Sequence, residues 1–172
     1  MELGINGRNA IVTGGSQGIG RACAEALAEE GVNVAIVARD ADRLKAAAFE
    51  IANNRSGRVI PISGDLTNGE DIKKIMSEAT SELKQIDILI NNAGAAPFGR
   101  IGDLEDSIWQ DCFDLKLMGY VRCAREVMSN MRERRWGRIV NIIGRGGHFP
   151  TAKYIAGGSI NAAILNITQA LA

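Results

Sequence analysis

The chain has 172 residues, 46% hydrophobic and 23% charged, a balance that suits one globular domain with a sizeable core. Twenty basic residues offset twenty acidic ones, so the composition carries no nucleic-acid or membrane-surface footprint. No apolar run approaches a membrane span, MELGINGR lacks a signal core, and His148 is the single histidine, which argues against a His-cluster metal centre.

NAIVTG (9–14) predicts a buried strand, followed by a helix from about Gly18 to Glu30. VNVAIVAR (32–39) is the second strand. The alanine-rich stretch Ala41 to Asn53 is helical, with Asp40 or Asp42 as its cap. RVIPISGD (58–65) is the third strand, and Pro61 inside it argues for an edge position. Glu70 to Leu83 is a helix and IDILINNAG (86–94) the fourth strand. A long helix spans roughly Leu104 to Arg134 with an apolar stripe at Ile108, Cys112, Leu115, Val121, Ala124, Val127, Met128 and Met131. GRIVNIIG (137–144) is the fifth strand, and a last helix starts near Tyr154. NITQALA ends inside a helical pattern, so the chain reads either as a fragment of a longer protein or as an unusually short one. Cys23, Cys112 and Cys123 lie in helix-like stretches without metal spacing; they read as buried free thiols in a reducing cytoplasm.

Continuous apolar strands separated by helices imply an α/β fold with a parallel, doubly wound sheet covered on both faces. Ligands in such sheets bind beyond the carboxyl ends of the strands. Attention therefore falls on 13–20, 38–40, 64–66, 91–94 and 143–154.

TGGSQGIG (13–20) joins the first strand to the first helix, with Gly14, Gly18 and Gly20 spaced G-x-x-x-G-x-G. Glycine permits the unusual turn angles and the close approach of a pyrophosphate to main-chain N–H groups. Ser16, Gln17 and Ile19 complete this loop. The second strand ends Ala38-Arg39, with no carboxylate at the position that would bind ribose hydroxyls and select NAD. Arg39 suits a 2′-phosphate, so NADP(H) is favoured and NAD(H) remains the alternative cofactor. Asp65 suits a hydrogen bond to the adenine amino group, or a turn or helix cap.

TGGSQGIG, Asp65-Leu66, NNAG (91–94), the long helix near Trp109 and a tyrosine after the fifth strand together resemble the short-chain dehydrogenase/reductases. The resemblance covers essentially the whole chain. It implies a Rossmann-type sheet ordered 3-2-1-4-5 and NAD(P)-dependent hydride transfer between a carbonyl and an alcohol. It also implies a small-molecule substrate and a homodimer or homotetramer; the balanced charge suggests no membrane or nucleic-acid partner. Gly14, Gly18 and Ile19 would line the pyrophosphate, and Asn92, Ala93 and Gly94 would hold the fourth strand's end beside the cofactor. Tyr154 would be the acid/base. Family members usually continue with two more strands and a substrate-covering segment. The single dinucleotide-binding domain, 1–172, is thus expected to be C-terminally short.

Three positions depart from that pattern. The serine expected after the fifth strand aligns with Gly144, the asparagine of the long helix with Lys116, and the lysine four residues after the tyrosine with Gly158. Lys153, at i−1, would point about 100° away from Tyr154 on a helix and is no direct replacement. Bringing an ordinary phenol from a pKa of about 10 to about 7 takes roughly 4 kcal/mol. Losing a serine-type donor costs about 10²–10³ in rate. Arg145, His148 and Lys116 are the candidate substitutes, and the N–H groups of the GRGGHFP loop are another. Two readings remain open: a carbonyl reductase with a modified site, and a cofactor-binding pseudoenzyme acting as a regulatory or assembly subunit.

Overall fold

The computed structural model describes residues 2–53 and 55–172, so Met1 of the polar N-terminal stretch lies outside the described residues. The elements run β1 (Asn9–Thr13), α1 (Gly18–Glu29), β2 (Asn33–Ala38), α2 (Ala41–Ala52), β3 (Val59–Ser63), α3 (Gly69–Leu83), β4 (Ile88–Asn91), α4 (Asp106–Cys112), α5 (Gly119–Glu133), β5 (Arg138–Asn141) and α6 (Ile155–Leu171). The strands form one sheet in the order β3-β2-β1-β4-β5, and every neighbouring pair is parallel. This is the Rossmann-type arrangement that the resemblance implied. Pro61 does lie on an edge strand, β3.

Alternation along the strands divides the core into two layers. Ile11, Ala35 and Leu89 face α3 and α5, where they meet Ile72, Met76, Val127 and Met131. Ala10, Val12 and Ile36 face α1 and α2, against Ala24, Ala28, Leu44 and Ile51. A third cluster of Cys112, Tyr120, Ile160 and Ile164 ties α6 to the long helix. At the amino-terminal edge of the sheet the carboxylate of Asp87 is fully buried. The Asp87 carboxylate accepts from the Asn9 backbone N–H at 3.0 Å and from the Arg134 guanidinium at 2.6 Å.

Two expectations need correction. The long helix is not one α-helix: a π-helical turn, Phe113–Met118, joins α4 to α5. Such turns widen a helix locally and re-aim its side chains, and Lys116 sits inside this one. Asp65 caps no helix, because Asn68 caps α3 by accepting from the N–H groups of Glu70 and Asp71. Of the two residues offered as the α2 cap, Asp40 takes the role, accepting from Arg43 N–H at 3.0 Å.

Candidate active site

The carboxyl ends of the strands converge on a groove of about 660 Å³. It runs from Arg39, Asp40 and Arg43 past Gly14, Ser16 and Gln17 to Ala93, Gly94 and Leu115. Its floor is the glycine loop. Gly14 (φ +66°) and Gly18 (φ +59°) adopt the left-handed angles that motivate glycine there. At Gly20 a side chain would strike the carbonyl of Gly14 and the amide of Asn92. Gly15, which the spacing argument passed over, is as constrained: its Cβ would fall 2.7 Å from Cβ of Ile36.

NNAG acts on this loop from the next strand. Asn92 Nδ2 donates to the carbonyls of Thr13 and Gly14 at 3.0 and 3.2 Å. Thr13 Oγ1 accepts from the N–H groups of Asn92 and Ala93, and itself donates to Ile90 O. Asn92 therefore shapes the loop, since its amide is already committed, and Ala93 and Gly94 border the groove directly.

The N-terminus of α1 opens into the groove. Gln17 is its N-cap residue but makes no side-chain capping bond, and the first turn holds no acidic residue. Both α2 and α3 are capped by a side chain. The first N–H groups of α1 thus keep their partial positive charge available for an anion. Ile19, 63% exposed, stands on this turn. At the groove's other end the Asp40 carboxylate is occupied by the α2 cap and by Arg43 at 3.3 Å, while Arg43 also reaches Gln17. Arg39 has no ion-pair partner among the described residues. Arg43 is a second cation at this end that the sequence reading missed. The Asp65 carboxylate accepts from Thr67 N–H in a local turn, and Leu66 beside it is buried and lines the groove.

The segment before α6 places Tyr154 differently from a helical residue. Tyr154 is the N-cap of α6 with φ −136° and ψ 44°; its carbonyl accepts the first helical bond, from Gly158 N–H at 2.9 Å. Its ring folds back across the first turn and covers Gly157, where any Cβ would overlap the phenol. Phe98 packs against the same ring, tilted by 43°, at 5.0 Å between centroids. Lys153 lies in the loop, its carbonyl bonded to Gly99 N–H, so the helical-face argument about it does not apply. Gly158 packs against the backbone of Gly146.

One turn beyond Gly157, on the same face, stands Asn161. Asn161 is fully buried, and its Oδ1 accepts from Lys116 Nζ at 2.8 Å. The Lys116 stem lies over Gly94, 2.8 Å from where a Cβ at Gly94 would sit. Gly144 faces Asn161 from the other side, with a Cβ position 2.9 Å from Nδ2. Of the proposed substitutes, Lys116 therefore meets the other chemistry-bearing groups. Arg145 and His148 are exposed and turn toward Phe149, at 5.2 Å from guanidinium to ring and 6.3 Å between rings. In the GRGGHFP loop, the N–H groups of Gly147, His148 and Phe149 are used within the turn, on the carbonyls of Gly144 and Arg145.

Fold and groove together define a dinucleotide-binding α/β domain with a phenol beside its last helix. A family profile described as short chain dehydrogenase matches residues 8–172. A short chain dehydrogenase of Pseudocercospora fijiensis is 35% identical over 170 residues, covering 98% of this chain and 55% of that protein. The 3-oxoacyl-acyl-carrier-protein reductase FabG of Aquifex aeolicus is 34% identical over 175 residues, covering 100% of this chain and 69% of that protein. The L-sorbose reductase of Gluconobacter frateurii, solved with NADPH and L-sorbose, superposes with a TM-score of 0.95 at 33% identity, covering 99% of this chain and 65% of that one. The chain belongs to the short-chain dehydrogenase/reductase family. It spans between about half and about two thirds of the length of these relatives. Among the described residues no helix is long and apolar enough to cross a membrane.

Proposed function

We propose that the protein is an NADP(H)-dependent carbonyl reductase in which Tyr154 is the proton donor. The observation that carries this reading is the continuous path along the sheet's upper rim. It starts at the unpaired Arg39, passes the uncapped N-terminus of α1 and ends at Gly94, beside the lysine that reaches α6. Arg39, with Arg43 nearby, would hold a 2′-phosphate; the first turn of α1 with Gly18 and Ile19 would hold the diphosphate; Asp65 and Leu66 would border the adenine. The left-handed glycines and the free helix end fit such a group. When bound, a nicotinamide supplies the hydride. The relatives support a carbonyl substrate: FabG and the sorbose reductase are both reductases, and the latter was solved with NADPH.

Tyr154 gives its phenolic proton to the substrate oxygen as the carbonyl is reduced. A phenol ordinarily carries that proton at neutral pH, whereas alcohol oxidation needs the phenolate. Reduction near pH 7 is therefore the favoured direction. Gly144 supplies no hydroxyl to the substrate oxygen. The exposed ring of Phe98, beside Tyr154, favours a substrate with an apolar portion. Val121 and Met128 on α5, with Ile167 and Leu171 on α6, form a half-exposed surface that suits pairing of two copies.

The test is a fluorescence titration with NADPH and NADH, followed by turnover of a ketone panel by wild type and Tyr154→Phe. The expected result is NADPH binding, with a rate loss of about 10²–10⁴ in the variant. Binding with equal background rates in both proteins would make the chain a cofactor-binding pseudoenzyme.

A further inference from the structure

We infer that Lys116 is the cationic donor of this site, directed at the ribose hydroxyls of the bound dinucleotide on the Tyr154 side, and that Asn161 is the residue that positions it. This inference rests on the reading of the groove given above. The lysine reaches the site from the long helix and the amide from α6, so charge and anchor have exchanged elements relative to the sequence pattern.

A lysine on a helix ordinarily carries its ammonium into water. Lys116 instead lies half-buried, its stem on Gly94 and its Nζ on Asn161, with no carboxylate partner among the described residues. Burial holds its pKa below the usual lysine value. The ammonium has three N–H donors, and Asn161 Oδ1 takes one. Two remain for acceptors, and sugar hydroxyls at the Gly94 end of the groove are acceptors of the right kind.

Asn161 supplies the second, independent observation. It is fully buried and its Nδ2 has no partner among the described residues. The amide cannot turn over to relieve this, because an ammonium only donates and needs Oδ1 facing it. An apolar residue would fill this place on α6 without leaving an unpaired donor. A buried unpaired amide calls for an explanation, and holding the lysine gives one. Gly144 completes the set, since a serine there would press its Cβ onto Nδ2 at 2.9 Å. The phenol over Gly157 and the ammonium at Asn161 then lie one turn apart on one face of α6.

The first test needs no mutation. Reductive methylation of the wild-type protein, mapped by peptide mass, is run with and without saturating NADPH. Lys116 is modified in the free protein and protected by the dinucleotide, while the exposed Lys45 and Lys84 react equally in both. Lys116→Met, which keeps the stem over Gly94, weakens NADPH binding about 10–100-fold, the range of one charge-assisted hydrogen bond. In a double-mutant cycle, Lys116→Asn with Asn161→Lys recovers more affinity than the two single losses predict. Tight NADPH binding without protection of Lys116, or unchanged affinity in Lys116→Met, overturns the inference and leaves the groove reading standing. Failure of the wild type to bind either dinucleotide overturns the groove reading, and this inference with it.

Discussion

Gly157→Ala separates the position of the phenol from the integrity of the fold. Gly157 lies in the first turn of α6, and an ideal Cβ there comes within 2.5 Å of both Cε1 and Oη of Tyr154. Carbon atoms in contact sit about 3.5–4.0 Å apart, so the ring must retreat by about 1 Å or more. A misplacement of about 1 Å at a reacting group costs up to about 10² in rate. The helix itself gains from alanine, by about 0.5–1 kcal/mol over glycine. The expected variant is therefore folded, at least as stable in its helix as wild type, and about 10²-fold slower. The assay is NADPH oxidation with the ketone that the wild type reduces fastest, beside a thermal melt. Gly102→Ala is the control, because among the described residues nothing lies within 4 Å of its Cβ position. An unchanged rate in Gly157→Ala would refute the assignment of the phenol over this glycine as the working acid.

Removing the buried carboxylate in Asp87→Ala strands Arg134 and the Asn9 N–H; the expected loss is about 3–5 kcal/mol, read as a lowered urea midpoint. Arg39→Ala lowers NADPH affinity about 10–100-fold and leaves NADH affinity nearly unchanged, by fluorescence titration. Gly144→Ala crowds Asn161 Nδ2 and costs about 1–3 kcal/mol; in an Asn161→Ala background that cost disappears, which chemical denaturation of the four proteins would reveal. Burial pushes the Cys123 thiol up to about 12 from 9.0. The folded state therefore prefers the protonated thiol, and this stability is complete below pH 9.0 and is lost as the pH rises toward about 12. Cys123→Ala should flatten the alkaline decline in urea midpoint across that window. Lys116 acts with the opposite sign: its lowered pKa makes stability rise as the pH approaches 10.5 from below.

The strands and the sheet class were legible because each strand is a continuous apolar run, and burial on both faces demands that pattern. The glycine loop was legible because φ above zero leaves a residue-type signature at Gly14 and Gly18. Other features leave no such mark. The π-turn at 113–118 continues a helical periodicity with small disturbance, so FDLKLM reads as ordinary helix. Asp87 looks like any polar residue before a strand; its burial depends on Arg134, far along the chain. Lys116 and Asn161 are separated by 45 residues, and neither has a local pattern that points to the other. Arg145 and His148 drew attention by chemical type and proximity in sequence. The 3-10 turn at 145–147 carries them to the exposed face, beside Phe149.

The start of α6 is where a one-residue difference matters most. Counting four residues from Tyr154 along a helix leads to Gly158, where a Cβ would meet the carbonyl oxygen of Gly146 at 3.2 Å. Tyr154 is the N-cap of α6, however, and its ring turns back over the helix's first turn. The residue beneath the phenol is Gly157, and the residue one turn beyond it is Asn161, the partner of Lys116. The glycines at 144 and 157 then have steric causes. One leaves space for a phenol that arrives from the loop, and the other leaves space for an amide that holds a lysine from the opposite helix. A side chain at either glycine alone would press on the group beside it, so the effect of each single change is read at Tyr154 for Gly157 and at Asn161 for Gly144.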